Sequence, residues 1–242
     1  MATRGIILAA GRGSRMGSLT TEKPKCLLEV AGRSLLEWQI RAFEKSGITK
    51  IAIVTGYLRE KIIEKFQFTE FYNKNWNKTN MVASLFQADS WLNESDCIVS
   101  YADIFYKESA IQLLESCQSR LAITYDPNWR KLWDQRFEDP LSDAETFSLN
   151  QDGFLMDIGG TPESYETIQG QYMGLLKFTP SGWIVAKNLV SKTSVDNLSM
   201  TKFLQKLVNL NEKIQAVEYD EVWGEVDSVK DLYLYKNTMQ TF

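Results

Sequence analysis

The chain has 242 residues, which at about 150 residues per domain allows one large domain or two small ones. Apolar residues make up 44% and charged residues 24%, proportions typical of a globular protein and not of a disordered chain. The 27 Lys and Arg against 31 Asp and Glu give a net charge of −4, which argues against nucleic acid as a partner. Without an apolar run long enough to cross a bilayer, or a signal-peptide pattern, we expect a cytoplasmic protein that binds no membrane.

The chain contains no histidine. This excludes Ser-His and Cys-His nucleophile systems, His metal ligands, phosphohistidine intermediates and nucleotidyltransferases built on an HxGH motif. The cysteines Cys26, Cys97 and Cys117 form no C-x-x-C pair and are odd in number, so we expect free thiols. Catalysis is left to carboxylates, lysines, arginines and any metal that they hold.

Hydrophobic periodicity predicts alternating strands and helices along the first half. A capping box at Ser34-Leu35-Leu36-Glu37 predicts the start of the first helix, which Gly47 ends. We expect strands at residues 6–9, 51–54, 97–100 and 121–124, and further helices at 79–92 and about 110–117. This rhythm is typical of an α/β fold with a mostly parallel sheet and helices on both faces.

The second half changes character. Residues 145–149, 154–158 and 172–178 alternate between polar and apolar positions, which predicts more exposed, partly antiparallel strands. Residues 200–208 repeat at helical spacing, and a last helix is expected at 228–239. No linker or internal repeat is visible, so we expect one domain over residues 1–242.

A glycine-rich turn follows the first strand, in the segment from Leu8 to Gly17. Successive N–H groups in such a turn can bind phosphate oxygens, and Arg12 and Arg15 add positive charge. The spacing fits neither a dinucleotide-binding fingerprint nor a P-loop. Taken alone, Gly11-x-Gly13 is equally typical of an ordinary strand-to-turn connection.

Beyond the turn, Pro24 separates Lys23 and Lys25 and restricts the local backbone. The ordered string Leu8-Ala9-Ala10-Gly11-x-Gly13-Ser14-Arg15-Met16 followed by Lys23-Pro24-Lys25 resembles the signature of nucleotidyltransferases that act on sugar phosphates and small acceptors. This resemblance implies a Rossmann-like nucleotidyltransferase fold. It also implies that Arg15 and Lys25 contact phosphates as catalytic residues, and that the loop binds the nucleotide through Leu8, Ala9, Ala10, Gly11, Arg12, Gly13 and Ser14.

Two aspartates follow predicted strands, Asp103 after residues 97–100 and Asp227 in the stretch before the last helix. Taken alone, each is more typical of a turn or a helix N-cap. Both occupy the places of the family's metal-binding aspartates, so the resemblance implies that they hold Mg²⁺, with Glu225 a further candidate. In relatives, a segment such as Asn80 to Ser84 lines the base. These two residues are therefore base or ribose candidates, or else ordinary helix caps.

An acceptor-side insertion is expected at about residues 126–178. Aromatic and charged side chains there could bind an anion or an amine by ion pairing and cation–π contact, although the tryptophans could equally fill a satellite core. The acceptor-binding candidates are Trp129, Arg130, Trp133, Arg136, Asp143, Glu145 and Tyr172.

The chain also resembles cytidylyltransferases that activate phosphocholine, 2-aminoethylphosphonate or phosphoglutamine. The segments that carry this resemblance are Trp129–Trp133, Pro140–Thr146, Gln171–Phe178, Met200–Gln205 and Trp223–Asp227. The resemblance implies Mg²⁺-dependent transfer of CMP from CTP to a small amine-bearing phosphate or phosphonate acceptor, with release of pyrophosphate. A sugar-1-phosphate nucleotidyltransferase and a non-catalytic nucleotide-binding regulatory domain remain the alternatives. Neither the acceptor nor the choice of base follows from the residues alone.

Overall fold

The computed structural model describes residues 2–190 and 195–238. In chain order, its strands and α-helices are β1 (Arg4–Ala9), β2 (Glu29–Val30), β3 (Arg33–Ser34), α1 (Leu35–Lys45), β4 (Ile51–Thr55), α2 (Arg59–Ile63), β5 (Thr69–Tyr72), α3 (Met81–Phe86), α4 (Asp89–Glu94), β6 (Cys97–Tyr101), β7 (Ile104–Tyr106), α5 (Glu108–Ser116), β8 (Leu121–Asp126), α6 (Trp129–Arg136), β9 (Phe147–Leu149), β10 (Leu155–Ile158), β11 (Gln171–Phe178), α7 (Pro180–Val190), α8 (Met200–Asn209), β12 (Gln215–Glu218), β13 (Trp223–Glu225) and α9 (Val229–Thr238). The last predicted helix is confirmed up to residue 238, and residue 239 lies outside the described residues.

Seven strands form the main sheet in the order β12-β8-β11-β6-β1-β4-β5. β1 pairs in parallel with β4 and β6, and the pairs β4–β5 and β8–β12 are also parallel. β11 runs antiparallel to both of its neighbours, β6 and β8. The predicted α/β fold with a mostly parallel sheet is therefore confirmed.

The apolar run of β1 is explained by burial on both faces of the sheet. Ile7 and Ala9 pack into the cluster that includes α1 and α5, whereas Ile6 and Leu8 pack into the cluster that includes α7 and α8. Since successive strand residues point to opposite faces, a strand covered on both sides needs apolar residues at every position. Within the described residues, every helix is too short or too polar to cross a lipid bilayer.

The predicted capping box is present at the start of α1. The Ser34 hydroxyl accepts from the backbone N–H of Glu37 at 3.2 Å, and the Glu37 carboxylate accepts from the backbone N–H of Ser34 at 2.7 Å. At the other end, Gly47 has a φ of 91°, a left-handed conformation that ends the helix. Local sequence therefore determines both ends of α1.

Two predictions about secondary structure were wrong. The helix expected at residues 79–92 is divided into α3 and α4, and α4 begins at Asp89, whose carboxylate accepts from Trp183 Nε1 at 2.7 Å. The strand expected to be exposed at residues 172–178 lies within β11, in the middle of the sheet, and is almost fully buried. The apparent alternation there arises from Lys177, a buried side chain whose ammonium group donates to the Cys117 carbonyl at 2.8 Å.

Replacing Ser34 with Ala should lower the free energy of unfolding by about 1 kcal/mol, because the first turn of α1 loses its cap. Urea unfolding followed by circular dichroism would measure the change. Ser116→Ala is the matched control, since this exposed serine donates only to a carbonyl in the last turn of α5. Equal losses in the two variants would show that the capping box does not stabilise the fold.

Candidate active site

The site lies where β1 and β6 end. These strands are parallel neighbours, so the glycine-rich turn after Ala9 and the Tyr101-Ala102-Asp103 segment emerge at the same edge of the sheet. Gly13 has a φ of 69°, and a Cβ atom on it would lie 2.7 Å from Lys25 Cδ. The turn therefore folds closely over the Lys25 side chain, which only a glycine at this position permits.

A cleft of about 130 Å³ opens between the glycine-rich turn and the start of α3. Of the predicted nucleotide-binding residues, Leu8, Ala10, Gly11, Asn80 and Ser84 line it, together with Trp76, Thr79 and Met81. Ala9 is buried in the core below, while Arg12, Gly13 and Ser14 continue along the turn with Arg12 and Ser14 exposed. The structure therefore places one part of the predicted set around a cleft and the other part on the loop that leads away from it.

Tyr57, in the loop after β4, holds the two ends of the glycine-rich segment. Its backbone N–H donates to the Ala10 carbonyl at 3.0 Å. Its hydroxyl lies 2.9 Å from the Thr20 carbonyl and 2.7 Å from the Thr21 carbonyl. The Tyr57 ring also packs edge-on against Trp76, which lines the cleft. The backbone and side chain of this one residue thereby fix the loop relative to the cleft.

A short antiparallel strand pair brings the segment that contains Glu225 and Asp227 next to Asp103. β13 pairs with β7 so that Glu225 lies opposite Ile104, and the Val226 N–H donates to the Asp103 carbonyl at 2.9 Å. Asp103, Glu225 and Asp227 each place a carboxylate oxygen within 4.8 Å of the other two. The predicted pair of aspartates therefore shares one crevice, and Glu225 joins it.

Two cations reach the carboxylate cluster, which we define as Asp103, Glu225 and Asp227, from the side of the glycine-rich loop. Lys25 Nζ lies 2.8 Å from Asp103 Oδ2 and 2.5 Å from Asp227 Oδ1. Arg15 Nη2 lies 2.9 Å from the same Asp227 oxygen, although the Arg15 side chain is largely exposed. The predicted catalytic cations thus meet the predicted metal ligands directly.

The groups of the cluster shift one another's pKa. Burial, together with repulsion from Asp227, raises the pKa of Glu225 to about 8. Burial acts in the same direction on Asp227, but Lys25 and Arg15 outweigh it and hold the pKa of Asp227 below its ordinary value. Burial alone would lower the pKa of Lys25, yet Asp103 and Asp227 raise it above its ordinary value, so the ammonium group stays charged.

The carboxylate cluster fits a divalent cation. Carboxylate oxygens are the hard ligands that Mg²⁺ prefers, and one or two carboxylates are enough when phosphates and water complete the coordination. Asp103 Oδ1 is buried and has no hydrogen-bond partner among the residues that the structure describes. A buried acceptor of this kind is costly unless a bound cation or water satisfies it.

Arg136 supports the cluster from beneath. Its side chain is fully buried, and its Nη1 and Nε atoms lie 3.0 Å from Glu225 and 3.0 Å from Asp231, respectively. Asp231 also accepts from the backbone N–H groups of Asp227 and Ser228, at 2.9 and 2.7 Å, at the start of α9. Ser228 and Asp231 therefore cap α9, and the Asp227 carboxylate is left to face Lys25 and Arg15.

The segment around Trp129 is a helix, α6, and four of the acceptor-binding candidates lie on it. Trp129 and Trp133 are only 4% exposed, so both fill the core, as the alternative interpretation allowed. Arg130 is on the exposed side of α6, where it pairs with Asp134 at 2.7 Å. Arg136 faces the carboxylates described above. Three of these four side chains are therefore buried, and only Arg130 is exposed.

Of the remaining acceptor-binding candidates, Asp143 interacts with the carboxylate cluster, and Glu145 interacts with Asp143. Asp143 accepts from Trp133 Nε1 at 3.1 Å, and its charge interacts with that of Asp227. The buried amide of Gln171 accepts from the backbone N–H of Glu145 at 3.0 Å and donates to its carbonyl at 2.6 Å. Burial raises the pKa of both Asp143 and Glu145.

Two tyrosine rings lie beside these carboxylates. The Tyr172 and Tyr101 rings meet edge to face, with their centroids 5.8 Å apart, and Tyr101 is two residues before Asp103. The Glu145 carboxylate interacts electrostatically with both hydroxyls. Partly buried carboxylates beside tyrosine rings form an environment that suits a cation.

Comparisons with known proteins show the family of this chain. A family model described as the MobA-like NTP transferase domain matches residues 5–136. The CTP:phosphoglutamine cytidylyltransferase of Campylobacter jejuni is 36% identical, over 94% of this chain and 96% of its own. The chain belongs to the MobA-like NTP transferase family.

Two further similarities cover different shares of this NTP transferase. The 2-aminoethylphosphonate cytidylyltransferase of Lancefieldella rimae is 35% identical, over 43% of this chain and 46% of its own. A solved structure of the CTP:phosphocholine cytidylyltransferase of Streptococcus pneumoniae matches with a TM-score of 0.72 at 21% identity, over 99% and 100% of the two chains. At that identity the solved structure shows a shared fold.

Sequence reasoning missed several residues at the site of this NTP transferase. Tyr57 and Trp76 occur in ordinary loop contexts and had no signal. Tyr101 lies two residues before the predicted metal ligand Asp103, and that position could have drawn attention to it. Ser228-x-x-Asp231 matches a capping-box pattern, which could have shown that Asp227 is not needed as a helix cap.

Replacing Arg136 with Met should lower the free energy of unfolding of this NTP transferase by about 3–5 kcal/mol, because Glu225 and Asp231 would lose their buried partner. Arg130→Met, on the exposed face of the same helix, is the matched control and should cost less than about 1 kcal/mol. Urea denaturation of both variants gives the comparison. Similar losses would refute the supporting role of Arg136.

Proposed function

We propose that this NTP transferase moves CMP from CTP to a small phosphate or phosphonate that also carries an ammonium group, and that the reaction needs Mg²⁺ and releases pyrophosphate. The observation that carries the proposal is the contact of Lys25 with both Asp103 and Asp227, at the end of a glycine-rich loop that begins beside a cleft. The cytidylyltransferases of phosphoglutamine and 2-aminoethylphosphonate among its relatives support CTP and this class of acceptor.

The transfer needs no nucleophile from the protein, in keeping with a chain without histidine. An oxyanion of the acceptor attacks the α-phosphorus, a new P–O bond forms, and the bond to the β-phosphate breaks to release pyrophosphate. The residues have to bind, align and screen the anions. Arg15 and the backbone N–H groups of the glycine-rich turn bind the triphosphate, and Lys25 contacts the phosphate at the reacting centre.

Asp103 and Asp227, with Glu225 beside them, would hold Mg²⁺, which supplies charge neutralisation and alignment of the phosphates when bound. Arg136 and Asp231 keep these carboxylates in place. Leu8, Ala10, Gly11, Asn80 and Ser84 hold the base and ribose in the cleft.

The ammonium group of the acceptor is assigned to the region of Glu145, Asp143 and Tyr172. Partly buried carboxylates beside tyrosine rings favour the binding of a cation over that of a neutral hydroxyl group. The cation gains both ion pairing and cation–π contact there. This favours small zwitterions over hexose 1-phosphates.

Pyrophosphate release should be fast with CTP and one of phosphocholine, 2-aminoethylphosphonate or phosphoglutamine, and slow with UTP, GTP or dTTP. A coupled pyrophosphatase assay with each nucleotide against these acceptors and a set of hexose 1-phosphates measures this directly. Turnover confined to hexose 1-phosphates would reject the proposal in favour of a sugar-phosphate enzyme. Nucleotide binding without any turnover would indicate a regulatory domain.

Asp103→Asn should abolish turnover while the Tm stays within a few degrees of the wild type. Asp96→Asn is a matched control, since Asp96 immediately precedes β6 at its opposite end. The control should retain full activity. A fully active Asp103→Asn variant would remove Asp103 from the mechanism.

Glu145→Gln should raise the KM for an amine-bearing acceptor by about tenfold or more, because the partly buried ion pair between the carboxylate and the ammonium group is lost. The KM for 3,3-dimethylbutyl phosphate, the uncharged isostere of phosphocholine, should stay unchanged. Glu166→Gln, at an exposed position in the same insertion, is the control variant. Equal effects on both acceptors would exclude Glu145 from recognition of the ammonium group.

A further inference from the structure

The inference concerns the Ser84 hydroxyl in the cleft, and it rests on the proposed use of CTP. Ser84 lines the cleft from the first turn of α3 and is 6% exposed. Its Oγ accepts a hydrogen bond from Asn73 Nδ2 at 3.0 Å. A helical serine commonly donates to the carbonyl four residues earlier, but the Asn80 carbonyl receives only the Ser84 backbone N–H, at 3.4 Å.

The orientation of the Asn73 amide is determined by its other partners. Its Oδ1 accepts from the backbone N–H of Asn75 at 3.0 Å, and a backbone N–H can only donate. The Nδ2 group must therefore be the one that faces Ser84 Oγ and Thr79 Oγ1, each at 3.0 Å. The Thr79 hydroxyl donates to the Asn75 carbonyl at 3.0 Å, so it is an acceptor toward Asn73.

Asn73 is rigidly held in this role. It follows directly after β5, it is 2% exposed, and its backbone N–H donates to the Thr55 carbonyl at 2.9 Å. Both hydrogens of its amide are used, one on Ser84 and one on Thr79. Asn73 therefore keeps Ser84 Oγ as an acceptor on the protein side.

The consequence is a fixed hydrogen-bond polarity in the cleft. Among residues 2–190 and 195–238, no group accepts from the Ser84 hydroxyl, so its hydrogen is directed toward the open side of the cleft. Cytosine presents an unprotonated N3 acceptor on its pairing edge, whereas uracil presents an N3–H donor at the same place. A base that must donate to Ser84 leaves the serine hydrogen without an acceptor, which is unfavourable in a buried site.

We propose that Asn73 is a positioning residue that makes Ser84 a hydrogen-bond donor to the base and thereby favours CTP over UTP. Asn73 acts through Ser84 and does not contact the base. The preference that it contributes is about 10- to 100-fold, the range expected when a buried hydrogen-bonding group is left unpaired.

Asn73→Asp tests this polarity. An aspartate can still accept from the Asn75 N–H, but it also accepts from Ser84, which turns the serine hydrogen away from the cleft. Dissociation constants of CTP and UTP, measured by calorimetry without an acceptor substrate, should then show a CTP preference that is about 10- to 100-fold smaller than in the wild type. Asn77→Asp adds the same charge at an exposed position nearby and should leave the preference unchanged.

Ser84→Ala provides a second arm in case the buried aspartate prevents folding, which circular dichroism would detect. Without the hydroxyl, the two nucleotides should bind with nearly equal affinity. If folded Asn73→Asp keeps the wild-type preference, or if Ser84→Ala keeps it, the inference is overturned. A wild-type protein that does not prefer CTP contradicts the proposed function itself, which separates the two failures.

Discussion

The structure depends on keeping several carboxylates together in a partly buried space. Asp103, Glu225, Asp227 and Asp231 would repel one another without the cations Lys25, Arg15 and Arg136. Burial beneath the cluster alone would lower the pKa of Arg136, but Glu225 and Asp231 hold it above its ordinary value, so its charge is permanent there. Lys25 and Arg15 approach from the side of the glycine-rich loop, where a triphosphate would compete with the carboxylates for them. The fold therefore combines one fixed counter-charge with two that can be redirected.

This arrangement connects the cluster to substrate binding. A divalent ion bound to both aspartates, as we propose, would place further positive charge beside Lys25, and the anions brought by a nucleotide would offer the lysine a new partner. Removing Lys25 from Asp103 and Asp227 without a replacement cation would leave two close negative charges, which is unfavourable. The nucleotide and the metal are thus expected to bind cooperatively at the carboxylate cluster, because the metal would neutralise the aspartates and the nucleotide would pair with Lys25.

The sequence predicted the features whose signals are local. The apolar run of β1, the capping box of Ser34 and the acids at strand ends could be recognised from neighbouring residues. Local signals say little about residues whose environment is set by distant segments. Arg136 is predicted to bind an acceptor, and the sequence gives no sign that it pairs with Glu225 and Asp231, about ninety residues further along the chain. Likewise, the alternation that suggested an exposed β11 comes from Lys177, whose ammonium group reaches the end of α5.

The cleft and the carboxylate cluster are formed by different segments of the chain. The base cleft depends on Asn73 and Ser84, neutral groups held by segments around β5 and α3. The chemistry depends on charged groups from the segments after β6 and β13. Tyr57 links them, since it fixes the glycine-rich loop at both Ala10 and Thr20. If Asn73 orients Ser84 as we propose, a change in hydrogen-bond polarity at Asn73 would alter which base is accepted without altering the ion pairs of Asp227, so base selectivity could change while the proposed phosphate chemistry is retained.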